Sequence, residues 1–137
     1  MSRLDIKQKL NLWGNKSMEQ KKHWGYELIL DLFDCDRLCI TQKEPIKKYI
    51  YDILQLIKMK PYGECIVERF GEGDIEGISA FQFLMTSSIT IHCREDNRHN
   101  DCYINLFSCK EFDPEKVIIF SQQFFNAKAI NFDFKLR

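Results

Sequence analysis

Residues 78–93, ISAFQFLMTSSITIHC, contain two apolar segments separated by a threonine and two serines. In the second segment, 86–93, two isoleucines alternate with Thr90 and His92, and this period of two predicts a strand with one apolar face. The first segment predicts a buried strand, which the second either continues or pairs with. These two strands decide the fold, and the polar face of the second carries a histidine.

Further apolar segments predict strands at 26–35, 65–70, 102–109 and 128–137. Apolar side chains recur at helical spacing in 44–58, and Asp113 followed by Pro114 is typical of a helix start, here for 113–125. The order β-α-β-β-β-β-α-β predicts an α+β fold, a two-layer α/β sandwich with two helices on one face of an antiparallel sheet. The other sheet face is left uncovered, which a twofold homodimer would explain most simply.

The composition indicates one globular domain, 25–137, behind a polar basic N-terminal extension, 1–24. The basic residues of the extension are Arg3, Lys7, Lys9, Lys16, Lys21 and Lys22. A net charge of +0 argues against nucleic acid or an anionic membrane as a partner. No apolar segment reaches the roughly 18–20 residues of a membrane span.

The chain has six cysteines: Cys35, Cys39, Cys65, Cys93, Cys102 and Cys109. Because no secretory signal is evident and a domain of this size needs no disulfide staples, we expect reduced thiols in a cytoplasmic protein. Their spacing includes one C-x3-C and no second close pair, so it does not match a zinc site, and no metal is expected.

Five short motifs occur in a characteristic order: GYELILDLFDCD, GIS, SSITIH, INLFSC and DPEKV. In this order and spacing the chain resembles the short prokaryotic S-adenosylmethionine decarboxylase proenzymes, from residue 25 to about residue 135. The resemblance implies a chain that cleaves itself and forms a pyruvoyl group, which takes the substrate amine as a Schiff base and replaces an external cofactor. The implied product supplies polyamine (spermidine) biosynthesis.

The resemblance also implies roles for single residues. Ser87 matches the pyruvoyl precursor, which makes Thr86-Ser87 the cleaved bond, and His92 matches the residue that assists elimination. Ser79 matches the serine that supports the ester intermediate, and Cys109 the cysteine that protonates the decarboxylated carbon.

Two further positions match substrate-binding residues of the family, and the chain departs from the family near the cleavage site. Phe70 lies where the family stacks an aromatic ring on adenine, and Arg94 replaces the tryptophan that helps to clamp it. Arg94 either packs flat on adenine or binds the carboxylate of another amino acid. Thr86 and Ser88 stand where the family usually has glutamate and histidine.

These departures leave alternatives open. Ser88 is the rival nucleophile, because it shares a strand face with His92 and Ser87 does not. A decarboxylase of ornithine or arginine is the second interpretation. The third is an uncleaved binding or regulatory homologue without catalysis.

Overall fold

The structure is a computed structural model that describes residues 1–19 and 23–137, with only the backbone for 13–19. Lys21 and Lys22 of the basic extension lie outside the described residues, as does the side chain of Lys16. The strands are β1 (Tyr26–Phe33), β2 (Pro61–Phe70), β3 (Gly77–Leu84), β4 (Ser87–Glu95), β5 (Asn100–Ser108) and β6 (Ala129–Leu136). The helices are α1 (Arg3–Glu19), α2 (Arg37–Ile40), α3 (Lys43–Ile57) and α4 (Pro114–Phe125).

The strands form one antiparallel sheet in the order β2-β3-β4-β5-β1-β6. The predicted order of strands and long helices is confirmed, and α1 and α2 add to it. One face of the sheet packs against the helices and contains the core, with Ile89 and Ile91 of β4 fully buried. Burial of these apolar side chains is the main stabilising term of the fold.

The two long helices form for the predicted reasons. α3 buries an apolar stripe that includes Ile46, Ile50 and Ile53. At the start of α4, the Asp113 carboxylate accepts a hydrogen bond from the backbone N–H of Glu115 at 3.0 Å, and Pro114 occupies the first turn.

The N-terminal extension contains a helix that the sequence did not predict. Its apolar face is narrow: Ile6 is 1% exposed, and Leu10, one turn later, packs against the core. Arg3 pairs with Glu115 at 3.1 Å, which ties α1 to α4. The polar extension is therefore docked on the domain over its first turns, while the boundary at residue 24 stays a prediction.

The segment PYGE, 61–64, follows the predicted helix and opens β2, so this strand begins four residues before the predicted 65–70. α3 already ends at Ile57, where Lys58 adopts a left-handed conformation and its N–H caps the helix. Gly63, at a φ of 75°, lies where the β2–β3 register shifts, so this strand tolerates a turn-forming dipeptide at a bulge. Among the described residues, no helix has the length and apolar character to cross a membrane.

Candidate functional site

The β3–β4 hairpin turns through only two residues, because Leu84 pairs directly with Ser87. Thr86, the second turn residue, has a φ of 64°. A left-handed conformation is uncommon outside glycine and costs a β-branched residue on the order of 1–2 kcal/mol. The peptide bond between Thr86 and Ser87 therefore lies at a strained point of the backbone.

Ser87 is held in place by the connection that follows β5. It is 8% exposed, and its Oγ accepts a hydrogen bond from the backbone N–H of Cys109 at 3.1 Å. The Sγ of Cys109 lies 4.0 Å from the same Oγ and 2.6 Å from the Oγ1 of Thr86. Thr86, Ser87 and Cys109 thus form one group, which we call the Ser87 cluster.

A second group forms at the opposite end of the same hairpin. Ser79 of β3 is directly opposite His92 of β4, and Ser79 Oγ and His92 Nδ1 are 2.8 Å apart. Strand alternation places Phe70, 62% exposed, and Arg94 on the same uncovered face. We call Phe70, Ser79, His92 and Arg94 the His92 cluster.

Arg94 is already engaged within its own chain. Its Nε donates to the Asp96 carboxylate at 2.8 Å. The backbone N–H of Arg98, the His99 ring and Arg94 together hold the pKa of Asp96 well below its usual range. Asp96 is therefore an anion at neutral pH and a fixed partner for Arg94.

The two clusters do not meet within one chain. His92 follows Ser87 by five positions along β4, roughly 16 Å at the rise of an extended strand. Their side chains also point to opposite faces of the sheet, since Ser87 shares the helix-side face with Ile89 and Ile91. Ser88 shares the uncovered face with His92, as its parity predicts.

Two cavities meet at Ser87. The larger, about 520 Å³, opens toward the uncovered face and is rimmed by the aromatic rings of Tyr62, Phe83 and Phe107. The smaller, about 250 Å³, lies between the end of α3 and the connection after β5, and Lys58, Lys60 and Lys110 contribute to its lining. Ser87 and Met85 line both cavities.

Cys35 and Cys102 are buried, which favours a structural role for both. Burial raises the pKa of Cys35 to about 12 and also raises that of Cys102, so neither thiol ionises readily at neutral pH. All six cysteines are free thiols, and no group of three potential metal ligands occurs among the described residues.

Sequence reasoning missed the residues around Ser87 that come from other elements. Tyr62 was overlooked because it lies between the predicted helix 44–58 and the predicted strand 65–70, whereas β2 already begins at Pro61. The three lysines carry no motif, although Lys110 directly follows Cys109 and could have been found by that adjacency.

Similar proteins were found in two groups. Two relatives named S-adenosylmethionine decarboxylase proenzyme, from Clostridium botulinum strains Hall (Type A) and Langeland (Type F), are 28% and 27% identical over 105 residues. Each alignment covers 74% of this chain and 84% of the relative. The crystal structure of the adenosylmethionine decarboxylase from Aquifex aeolicus VF5 is similar in fold, with a TM-score of 0.68 at 19% identity. That match covers 85% of this chain and 92% of the other.

The family model described as S-adenosylmethionine decarboxylase matches residues 26–137. The match includes every strand of the sheet and both clusters, and it leaves out α1. By this match the chain belongs to the S-adenosylmethionine decarboxylase family.

Proposed function

We propose that this chain cleaves itself between Thr86 and Ser87 and then decarboxylates S-adenosylmethionine for polyamine synthesis. The observation that carries the proposal is the Ser87 cluster: a strained Thr86-Ser87 peptide with the Ser87 hydroxyl held by Cys109. The names of the relatives as proenzymes agree with it.

The first step uses only groups of the chain. The Ser87 Oγ bonds to the Thr86 carbonyl carbon, the C–N bond breaks, and the hydroxyl proton passes to the freed amine, which leaves an ester. Loss of the Ser87 Cα proton then expels the Thr86 carboxylate. Water then hydrolyses the dehydroalanine that remains, so that a carbonyl oxygen replaces its amine and ammonia is released.

The pyruvoyl group formed in this way fits the surroundings of residue 87. Its carbonyl supplies an electrophile that accepts the substrate amine and draws electrons as CO2 leaves. Cys109 places an N–H and a thiol beside residue 87, the thiol within 4.0 Å of the present Oγ. Its thiol is therefore placed to deliver a proton to a carbon held there.

His92 serves this site best from a second copy of the chain. Within one chain it lies roughly 16 Å from Ser87, too far for proton transfer. In such a dimer the uncovered faces of two sheets pack against each other about a twofold axis. The axis runs perpendicular to the strands at the level of Ile89–Thr90, so that β4 of the second copy runs in the opposite direction. The partner's His92 then lies over Ser87.

The tetrahedral geometry at the Ser87 Cα supports an approach of the second copy's His92 from the uncovered face. The Ser87 side chain points toward the helices and Cys109, so its Cα–H is directed away from that side. The exposed aromatic rings of Tyr62, Phe70 and Phe83 on or beside the uncovered face favour its burial against another sheet. The homodimer is therefore part of the proposal, and six free thiols suit a reducing cytoplasm.

S-adenosylmethionine suits the larger cavity, whose aromatic rim can hold an apolar ring system and a sulfonium cation. Arg94 is already ion-paired with Asp96. This contact weakens the alternative that Arg94 binds the carboxylate of ornithine or arginine. Comparing CO2 release from the three amino acids decides between the substrates.

Denaturing intact-mass spectrometry of the purified chain tests the cleavage. We expect fragments of residues 1–86 and 87–137, and the smaller one should gain the mass of a carbonyl-reactive amine. Ser87→Ala should abolish both changes, and Ser88→Ala should leave them intact. A single uncleaved wild-type chain that ignores the amine would support the regulatory homologue instead.

A further inference from the structure

The smaller cavity beside Ser87 is basic. Lys58, Lys60 and Lys110 line it, together with Ser87, Ser108 and two methionines, and no carboxylate contributes to the lining. None of these lysines forms an ion pair within the part of the chain that the structure describes, whereas Lys43, Lys47, Lys48, Lys128 and Lys135 do. Three lysines without an ion pair among the described residues therefore line the cavity next to the proposed precursor residue.

Two hydrogen bonds within the chain hold the walls of the smaller cavity in place. The Nζ of Lys110 donates to the carbonyl of Lys58 at 3.4 Å, which links the end of α3 to the residue after Cys109. Ser108 forms part of the wall, with its Oγ donating to the Lys110 carbonyl at 2.6 Å and its side chain fully buried. The position of Lys110 is thus fixed by contacts on both sides.

We propose that this lysine-lined cavity binds the α-carboxylate of the substrate. The inference rests on the proposed function, because it takes residue 87 as the point where the substrate amine attaches. An α-amino and an α-carboxyl group share one carbon, so the carboxylate must lie next to residue 87. Of the two cavities that Ser87 lines, the basic one complements a carboxylate and the aromatic one the rest of the substrate.

This assignment predicts a particular kinetic signature. The negative charge of the carboxylate disappears as CO2 departs, so the lysines stabilise the bound substrate more than the transition state. Removing a lysine therefore raises KM without lowering kcat. An exposed lysine–carboxylate contact corresponds to about a fivefold change in affinity for each lysine removed.

The test uses the full-length Ser87→Ala chain, in which binding is measured without cleavage or turnover. Calorimetry compares S-adenosylmethionine with its methyl ester, which lacks the carboxylate charge. We expect tighter binding of the acid, and a loss of this preference by about fivefold in each of Lys60→Met and Lys110→Met. Lys110→Arg should keep the preference, and Lys116→Met, an exposed lysine of α4 away from the cavity, should not change it.

Equal affinity for acid and ester, an unchanged preference in both methionine variants, or no binding of either ligand would overturn the proposal. Self-cleavage is followed separately by intact mass in chains that retain Ser87. A chain that fails to cleave but binds the acid through Lys60 and Lys110 would contradict the proposed function and leave the carboxylate site standing.

Discussion

Ser87 and His92 lie on the same strand, five residues apart, with their side chains on opposite faces of the sheet. Ser87 contacts Cys109 on the helix side, whereas His92 contacts Ser79 on the uncovered side. A regular strand is too stiff to bring the two together, since each residue advances the chain by about 3.3 Å. A site that needs both groups therefore has to combine two chains.

Two inactive variants should restore cleavage when they share a dimer. A Ser87→Ala chain keeps its imidazole, and a His92→Ala chain keeps its nucleophile, so a mixed dimer contains one complete site. At equal expression and random pairing, about half of the His92→Ala chains should be cleaved. Intact-mass spectrometry of the co-expressed, differently tagged chains measures this fraction.

The control for complementation replaces the first chain by Ser87→Ala/His92→Ala, which has no imidazole to contribute. Cleavage should then fall to the level of His92→Ala alone. If the mixed dimers stay uncleaved while the wild type cleaves, His92 does not act across the interface.

Relief of the strain at Thr86 should stabilise the uncleaved chain. Glycine adopts the φ of 64° without the clash of a β-branched side chain, although it also gains entropy when unfolded. The two effects leave a net gain of up to about 1 kcal/mol for Thr86→Gly, measured by urea unfolding in the Ser87→Ala background. In a chain with Ser87, cleavage should slow by up to about fivefold.

Thr90→Gly is the matched control, since Thr90 lies in the regular part of β4. Here glycine should destabilise the strand. A loss of stability in Thr86→Gly comparable to that in Thr90→Gly would show that the turn is not strained by its threonine.

The fold was predictable because alternation and helical spacing are strong local signals. The isoleucines of β4 and the stripe of α3 specify buried faces without reference to distant residues. α1 was not predictable in the same way, since its buried anchor is chiefly Ile6, whose docking depends on α4 and β6.

The contacts within the site could not be predicted from the sequence, because they join residues that are distant along the chain. The family motifs singled out Ser79, Ser87, His92 and Cys109, and strand parity placed Ser87 and His92 on opposite faces. No local pattern states that Ser87 meets Cys109 or that His92 meets Ser79. Likewise, Lys58 and Lys110 are 52 residues apart and meet only because α3 ends beside the connection after β5. Contacts of this kind depend on topology and not on local propensity.

Stability should depend on pH through Glu27 of β1. Its carboxylate accepts hydrogen bonds from Asn105 at 3.0 Å and from Arg137 at 2.8 Å, and these contacts lower its pKa. A lowered folded-state pKa gives stability that is present above the unfolded value of 4.5 and is lost as pH falls through the folded value.

Glu27→Gln should therefore be less stable than the parent at pH 7, by no more than about 1 kcal/mol, with the difference shrinking as the pH drops below 4.5. Urea unfolding of the Ser87→Ala chain at pH 7, 5 and 3 measures it. Glu64→Gln, at an exposed position of β2, should show no such trend. A difference that is constant with pH would assign the effect to packing and not to charge.

The cysteines should react in an order that reflects their surroundings. Cys109 is half-buried beside the Ser87 cavities, whereas Cys35 and Cys102 are buried and burial raises the pKa of both thiols. Because the thiolate is the reactive form, iodoacetamide at pH 8 should modify Cys109 in the folded Ser87→Ala chain and reach Cys35 and Cys102 only in denaturant. Peptide mass mapping over time gives the order of Cys109, Cys35 and Cys102, and Cys109→Ser should remove the label from its own peptide without making Cys35 or Cys102 reactive. Labelling of Cys102 as fast as Cys109 in the folded chain would contradict the burial of β5 beneath the helices.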